Sequence, residues 1–281
     1  MKGVLYIVST PIGNLKDITI RAIEVLKSVD LIACEDTRVT LKLLNYYGIS
    51  KPLVAVFKPK EEGRTRNLIK LLKEGKSIAL VSDAGTPLLS DPGYTLVECA
   101  LSEGIDVIPI PGASSILAAL VASGIKPYPF SFWGFFPRGR ECGEFLKRLK
   151  DREDTMIFFE SPKRILSTLR VMRDIFGDRK VCVAREITKA NEEFIRGSLD
   201  QVIGLIESRG ELKGEVVIVV EGKKSIGDRV SREKGGWKKI VELLMKSGCS
   251  FKDMEPVVRE VFGVGRKELY SYLLSLKGME E

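Results

Sequence analysis

The sequence predicts an α/β fold in two parts with a small helical extension, on three observations. Short apolar runs alternate with amphipathic stretches through residues 1–124, a second such alternation occupies 125–222, and from 223 the chain turns basic and then helical. Alternation of this kind sets strands side by side beneath covering crossovers, the pattern of a mostly parallel sheet. With 281 residues, 44% of them hydrophobic, the chain is long enough for more than one core.

In the first part, strands are predicted at 5–8, 31–34, 53–57, 78–81 and 107–110. Asp17 is expected to open a helix through Ile20, Ile23 and Leu26, and further helices are expected at 94–101 and 116–122. Two prolines in Ile125-Lys126-Pro127-Tyr128-Pro129 break the pattern and mark the boundary to a second part. There, strands are predicted at 156–159, 181–184 and 216–220, with helices at 164–176 and 199–207. Residues 222–236 read as a basic linker before two or three short helices. Apolar residues recur at helical spacing at Trp237, Ile240, Val241, Leu244 and Met245, then at Val257, Val258, Val261 and Phe262, then at Leu269, Tyr270, Leu273 and Leu274. That tail fits either a helix-turn-helix unit that presents a helix to nucleic acid or a helical cap that only packs.

Three strand ends run into polar, glycine-bearing loops: Ser9-Thr10-Pro11-Ile12-Gly13-Asn14-Leu15, Ser82-Asp83-Ala84-Gly85-Thr86-Pro87-Leu88-Leu89-Ser90-Asp91-Pro92-Gly93, and Pro111-Gly112-Ala113-Ser114-Ser115. Loops leaving the carboxyl ends of parallel strands are where such sheets bind ligands. Asp83 and Asp91 offer charged acceptors for hydroxyl or amino groups there. Neither a G-x-G-x-x-G turn nor a G-x-x-x-x-G-K-[ST] loop is present, so a nicotinamide oxidoreductase or a P-loop enzyme is not indicated.

The chain has no histidine, which excludes a Ser-His-Asp or Cys-His centre and a histidine base. Its five cysteines stand singly, so they read as reduced thiols and no zinc or other metal site is expected. A formal net charge of +7 favours an anionic partner. No apolar run reaches the roughly 20 residues that span a bilayer, so a soluble, cytoplasmic protein with no membrane contact is expected. Cations cluster beside loops: Lys58 and Lys60, Arg138 and Arg140 after two phenylalanines, Lys163 and Arg164 at a helix start, and Arg266 and Lys267 at the last helix. Guanidinium groups beside aromatic rings suit phosphates and splayed bases, and these eight are the candidate RNA contacts.

The three loops, with Cys34-Glu35-Asp36-Thr37-Arg38, resemble the tetrapyrrole-methylase superfamily of S-adenosylmethionine-dependent enzymes. Phe159-Glu160-Ser161-Pro162, Arg185-Glu186-Ile187-Thr188-Lys189 and Lys213-Gly214-Glu215 narrow the resemblance to the branch that methylates ribose 2'-hydroxyls in 16S ribosomal RNA. The resemblance spans about residues 3–221. It implies a tetrapyrrole-methylase-like two-domain fold, S-adenosylmethionine as methyl donor, a cytidine of the small ribosomal subunit as target, and a homodimer. It implies a donor site formed by Pro11, Ser82, Asp83, Ala84, Gly85, Leu88, Ser90, Asp91 and Ser114 of the first part. Phe159, Ala184, Gly214 and Glu215 complete it from the second.

One segment departs from the branch, which usually reads His-x-His-Asn after the third strand; here the chain reads Phe57-Lys58-Pro59-Lys60-Glu61. The proton of the ribose hydroxyl must then leave to a carboxylate, a deprotonated lysine or water. Lys189 and Glu186 are the candidates, since they lie in a matching motif at the end of a strand. A lysine can serve as base only where its surroundings lower its pKa. Glu186 could instead pair with Arg185 or Arg196, and Lys189 could contact phosphate. Two other functions stay open: methylation of a small anionic substrate such as a tetrapyrrole precursor, and RNA binding without catalysis, which the altered segment would allow.

Overall fold

A computed structural model describes residues 2–56, 61–139, 141–224 and 236–277. Residues 1–221 form one compact unit and 222–281 a second.

The first sheet of the larger unit has five strands: β1 Val4–Val8, β2 Leu31–Cys34, β3 Leu53–Ala55, β4 Ile78–Val81 and β5 Asp106–Ile110. Their order is β3-β2-β4-β1-β5 and every pairing is parallel. Because helices cover both faces of a parallel sheet, its central strands are apolar throughout; all four residues of β2 and of β4 are buried. The helices are α1 Ile20–Ser28, α2 Thr37–Tyr46, α3 Glu61–Lys73, α4 Tyr94–Ser102 and α5 Ser115–Ala122. The helix expected to open at Asp17 starts later. Thr19 caps α1 by accepting from the Ala22 N–H, while Asp17 ends a short 3₁₀ turn, Leu15–Asp17.

The second sheet comprises β6 Phe130–Phe135, β7 Thr155–Glu160, β8 Lys180–Arg185, β9 Glu193–Ser198 and β10 Val216–Val220, in the order β6-β7-β10-β8-β9. It is mixed: β6 runs parallel to β7, and the remaining neighbours pair antiparallel. Helices α6 Glu141–Leu149, α7 Ile165–Phe176 and α8 Leu199–Arg209 accompany it, and α8 is closed by a Ser198/Gln201 capping box. Strands β6 and β9 and helix α6 are additions to the elements expected from sequence. The carboxyl ends of β6, β7 and β8 and the amino end of β10 lie together, as their pairing directions require.

The smaller unit holds three helices among its described residues, α9 Gly236–Lys246, α10 Phe251–Phe262 and α11 Arg266–Lys277. Its core is Trp237, Val241, Met254, Val258, Val264, Leu269 and Leu273. Val257, Val261, Tyr270 and Leu274, expected on the apolar stripes, are exposed, because residues adjacent along a helix cannot both face one core. Arg266 and Lys267 are exposed at the start of α11. Among the described residues no helix is long and apolar enough to cross a membrane. Cys34 and Cys182 are buried and the other three cysteines half-buried, all five unpaired.

Candidate functional site

Four loops at the carboxyl end of the first sheet are tied to one another. Thr10 and Gly85 exchange backbone hydrogen bonds of 2.9 and 3.1 Å, and the Thr10 hydroxyl donates to the Ser82 carbonyl at 3.1 Å. The Ser9 hydroxyl donates to Thr86 Oγ1 at 3.2 Å, and Thr86 donates in turn to the Ala113 carbonyl at 3.3 Å. The Asp36 N–H donates to Asp83 Oδ1 at 3.0 Å, which brings in the loop after β2. Leu88 (φ 75°) and Ser90 (φ 76°) take left-handed backbone conformations that are unfavourable for residues with side chains. Strain of this kind is retained where the surrounding contacts fix a loop's shape.

These loops form one wall of a cavity of about 510 Å³, a size ordinary for a small-molecule site. Ile12, Glu35, Asp83, Asp91 and Ser114 line it from the first sheet, and Phe135, Phe159, Ile187, Glu215 and Val217 face them from the second.

The first-sheet wall is acidic. Burial, reinforced by the charges of Asp83, Asp91 and Asp36, pushes the Glu35 carboxyl up from its ordinary value. Burial and the charge of Asp83 likewise push Asp91 up, against a hydrogen bond with Ser82. Asp36 differs: the guanidinium and N–H of Arg38 hold it down at about 2. The cavity thus carries carboxylates without enough positive charge of its own, an arrangement that favours a cationic ligand.

Behind the second-sheet wall lies a charged cluster. Lys189 Nζ is 3.0 Å from Glu186 Oε1 and 3.1 Å from Glu215 Oε2, and Glu186 Oε1 also accepts from the Glu215 N–H at 2.9 Å. Burial alone would lower the Lys189 pKa, but hydrogen bonds to the two carboxylates outweigh it and the pKa is raised. The Glu215 N–H and the Lys189 ammonium lower the Glu186 pKa. The pair is therefore ionised on both sides at neutral pH. A lowered lysine pKa, the condition for a lysine base, is not what these neighbours produce. Glu186 (φ 50°) and Thr188 (φ 64°) are both left-handed, and the Thr188 hydroxyl donates to Asp17 Oδ2 at 2.6 Å across to the first-sheet half. Neither arginine expected to pair with Glu186 does so: Arg185 pairs with Glu193 and donates to the Lys213 carbonyl, and Arg196 donates to the Ala122 carbonyl.

Of the residues expected around a donor, Asp83, Ala84, Gly85, Ser90, Asp91, Ser114, Phe159, Gly214 and Glu215 line the cavity. Pro11, Ser82, Leu88 and Ala184 do not. Pro11 precedes the lining Ile12; Ser82 is buried with its hydroxyl on the Gly85 carbonyl; Leu88 packs on the first-sheet core; and Ala184 is fully buried in β8. Lys189 and Glu186 sit one layer behind, reaching the cavity through Glu215 and Ile187. Glu35 and Glu160 also line it, residues that the sequence placed in matched motifs without a role of their own, as does Phe135, which the sequence placed in an aromatic and arginine run suited to RNA. The signal for Glu35 was its place in the motif after β2.

Arg164 requires a correction. Rather than facing outward as an RNA contact, it donates to both carboxylate oxygens of Glu160, at 2.8 and 2.7 Å, and to the Phe136 carbonyl at 2.8 Å. Arg138 and Lys163 are exposed. Lys58, Lys60 and Arg140 lie outside the described residues.

The family model for tetrapyrrole (corrin/porphyrin) methylases matches residues 4–203. Ribosomal RNA small subunit methyltransferase I of Bacillus subtilis is 45% identical over 274 residues, covering 95% of this chain and 93% of that protein. The protein of the same name from Thermotoga maritima is 50% identical over 222 residues, 79% of this chain and 100% of that protein. That length matches the larger compact unit. Among solved structures, a diphthine synthase superposes with a TM-score of 0.63 at 18% identity, over 79% of this chain and 91% of that one, a likeness of fold.

Proposed function

The chain belongs to the tetrapyrrole methylases and, within them, to the ribosomal RNA small subunit methyltransferase I family, and from that premise we propose that it transfers a methyl group from S-adenosylmethionine to the 2'-hydroxyl of a cytidine in 16S ribosomal RNA. The observation that carries the reading is one cavity lined by nine of the expected donor residues, six from the first-sheet loops and three from the second-sheet wall.

The residues present fit such a donor. Glu35, Asp83 and Asp91 offer negative charge to a sulfonium and an amino group, and Ile12, Phe159 and Val217 offer apolar surface to a purine. The donor supplies a methyl group that is already activated. What is left to the protein is to align the ribose hydroxyl and to accept its proton, and alignment is worth roughly 7–11 kcal/mol at best. In this proposal Lys189, kept protonated by Glu186 and Glu215, stabilises the negative charge that develops on the ribose oxygen. The proton passes to the ionised carboxylates of the same cluster, reaching Glu186 by way of the cavity-lining Glu215. Arg138 and Lys163, with Lys58, Lys60, Arg140, Arg266 and Lys267, are the proposed phosphate contacts. A cytoplasmic homodimer completes the reading.

The test incubates the protein with methyl-labelled S-adenosylmethionine and small ribosomal subunits from a host lacking this methylation. Labelled nucleotides are then mapped by mass spectrometry. One labelled 2'-O-methylcytidine is expected. Donor binding without labelled RNA would favour a small-molecule methylase instead. Lys189→Ala is expected to abolish transfer while leaving donor affinity nearly intact, and unchanged turnover would remove Lys189 from the mechanism.

A further inference from the structure

We infer that Phe135 is the surface on which the base of the target nucleotide stacks, and that the buried Glu160–Arg164 pair holds the strand end that presents it. The inference rests on the RNA reading above and specifies where within the site the substrate base lies.

The pairing of β6 with β7 steps from Phe132↔Ile157 to Phe135↔Phe159, three residues on one strand against two on the other. Residues three apart on an unbroken strand face opposite sides of a sheet. The one extra residue cancels that alternation, so Phe132 and Phe135 share a face, and both rings meet Phe159 edge-on at 4.9 and 5.4 Å. Gly134 (φ 70°) takes the conformation the bulge needs, and a side chain there would meet the Ser90 hydroxyl of the donor-side loop.

The bulge thereby turns a phenyl ring toward the cavity, where it stays 66% exposed. Phe132 and Phe159, by contrast, are half-buried within a packed cluster. An apolar ring presented at a cavity edge, with one face left open, is the surface that single-stranded nucleic-acid proteins offer to bases. The charges agree: exposed Arg138 follows Phe135 along the chain, and exposed Lys163 follows the lining Ser161 and Pro162. A ring for the base, with exposed cations following two cavity-lining segments for the backbone, fits a nucleotide better than a macrocycle bearing several carboxylates of its own.

The strand end is anchored from below. Phe136 is buried, its N–H donates to the Phe159 carbonyl at 2.9 Å, and its carbonyl accepts from Arg164. Glu160, with its side chain 1% exposed, accepts from Arg164, from the Ser161 N–H at 2.6 Å and from the Thr168 hydroxyl at 2.5 Å. Every oxygen of that buried carboxylate is hydrogen-bonded, so the network is fixed and the residue next to Phe135 is fixed with it. Arg164 is a positioning residue.

The experiment compares Phe135→Leu and Phe135→Trp with the wild type in the full chain. It measures affinity for a short fluorescent single-stranded RNA in the presence of S-adenosylhomocysteine, donor affinity by calorimetry, and kcat/KM on unmodified small subunits. Phe135→Leu keeps the apolar character but loses the π face. It is expected to lower RNA affinity and kcat/KM by about tenfold or more, with donor affinity unchanged, whereas Phe135→Trp retains all three. Equal RNA affinity for the leucine variant and wild type would overturn the inference and leave the RNA reading standing. A parallel loss of donor affinity would also overturn it, by assigning the ring to the donor. A wild-type protein that neither binds nor methylates RNA would overturn the reading and the inference together.

Discussion

The two sheets meet at one cavity with different means of support. The parallel sheet contributes acidic loops cross-tied by hydrogen bonds of backbone and small polar side chains, and the mixed sheet contributes the aromatic rings of Phe135 and Phe159. The difference follows from strand direction. Parallel strands all deliver their carboxyl ends to one edge, so four loops can be laced into a single rigid floor. In the mixed sheet β10 runs against its neighbours, so the cavity edge combines the ends of β6, β7 and β8 with the start of β10. That edge is held by side chains, chiefly Glu160 with Arg164 and Lys189 with Glu186 and Glu215. One wall is therefore supported by hydrogen bonds among its loops and the other by ion pairs, of which Glu160–Arg164 is the buried one, and the two should fail differently.

The largest effect is expected where buried charge does the supporting. Glu160→Ala leaves Arg164 facing two carbonyls and the Thr168 hydroxyl without its partner, and loss of one member of a buried pair costs roughly 3–5 kcal/mol. Urea unfolding should show it as a lowered midpoint with an unchanged slope. The Arg38–Asp36 pair on the first-sheet side lies in water, with the Arg38 side chain 86% exposed, and Arg38→Ala should leave the midpoint nearly unmoved. Equal losses from the two variants would erase the contrast.

Next in size is donor affinity. Asp83 both lines the cavity and accepts from the Asp36 N–H. Asp83→Ala is expected to weaken donor binding about tenfold to a hundredfold, the range for hydrogen bonds to a charged group. RNA affinity, set by the other wall, should hold. Calorimetry with S-adenosylmethionine measures the first and fluorescence anisotropy the second; normal donor binding would show that the cavity floor has another use.

The same contrast explains what could be read from sequence. Strands β2 and β4 were legible because a central parallel strand is buried on both faces and reads as an uninterrupted apolar run, and β1 and β5 because their apolar runs lead into polar loops. Strands β6 and β9 were not. β6 carries Gly134 in its bulge and starts straight after Pro129, and β9, an edge strand, sets Phe194 and Ile195 side by side between charged Glu193 and Arg196 and so lacks the alternation of a half-buried strand. The loop acids were visible as residue types in a loop. The place of Phe135 was not, since it depends on a one-residue slip against a strand distant in sequence. For Arg164, the spacing of Glu160, Arg164 and Thr168, four residues apart each time, was a readable sign of an internal network.

A smaller effect concerns pH. Because Glu35 and Asp91 have raised folded-state values, their contribution to stability is full below the ordinary values of 4.5 and 3.8 and is lost as pH rises through the raised ones. A cationic donor binds the deprotonated forms. Its affinity should therefore climb over that same interval while the free protein loses stability. Glu35→Gln should flatten both curves, and a donor affinity independent of pH across the interval would show that these carboxylates do not face the bound cation.

The smallest effect tests the cationic side. Arg138 is exposed and free of the Glu160 network, so its proposed work is to neutralise one phosphate. Arg138→Ala should then cost only a few-fold in RNA affinity and reduce the log–log salt slope by about 0.7, the amount for one phosphate on a single strand. Arg164→Lys makes the opposite pattern: it keeps a cation but loses the fork that grips Glu160 and the Phe136 carbonyl together. Its RNA affinity should fall through the displaced Phe135 while the salt slope stays at the wild-type value. A slope that holds for Arg138→Ala would make the exposed arginine a bystander, and an RNA affinity that holds for Arg164→Lys would show that the fork does not position Phe135.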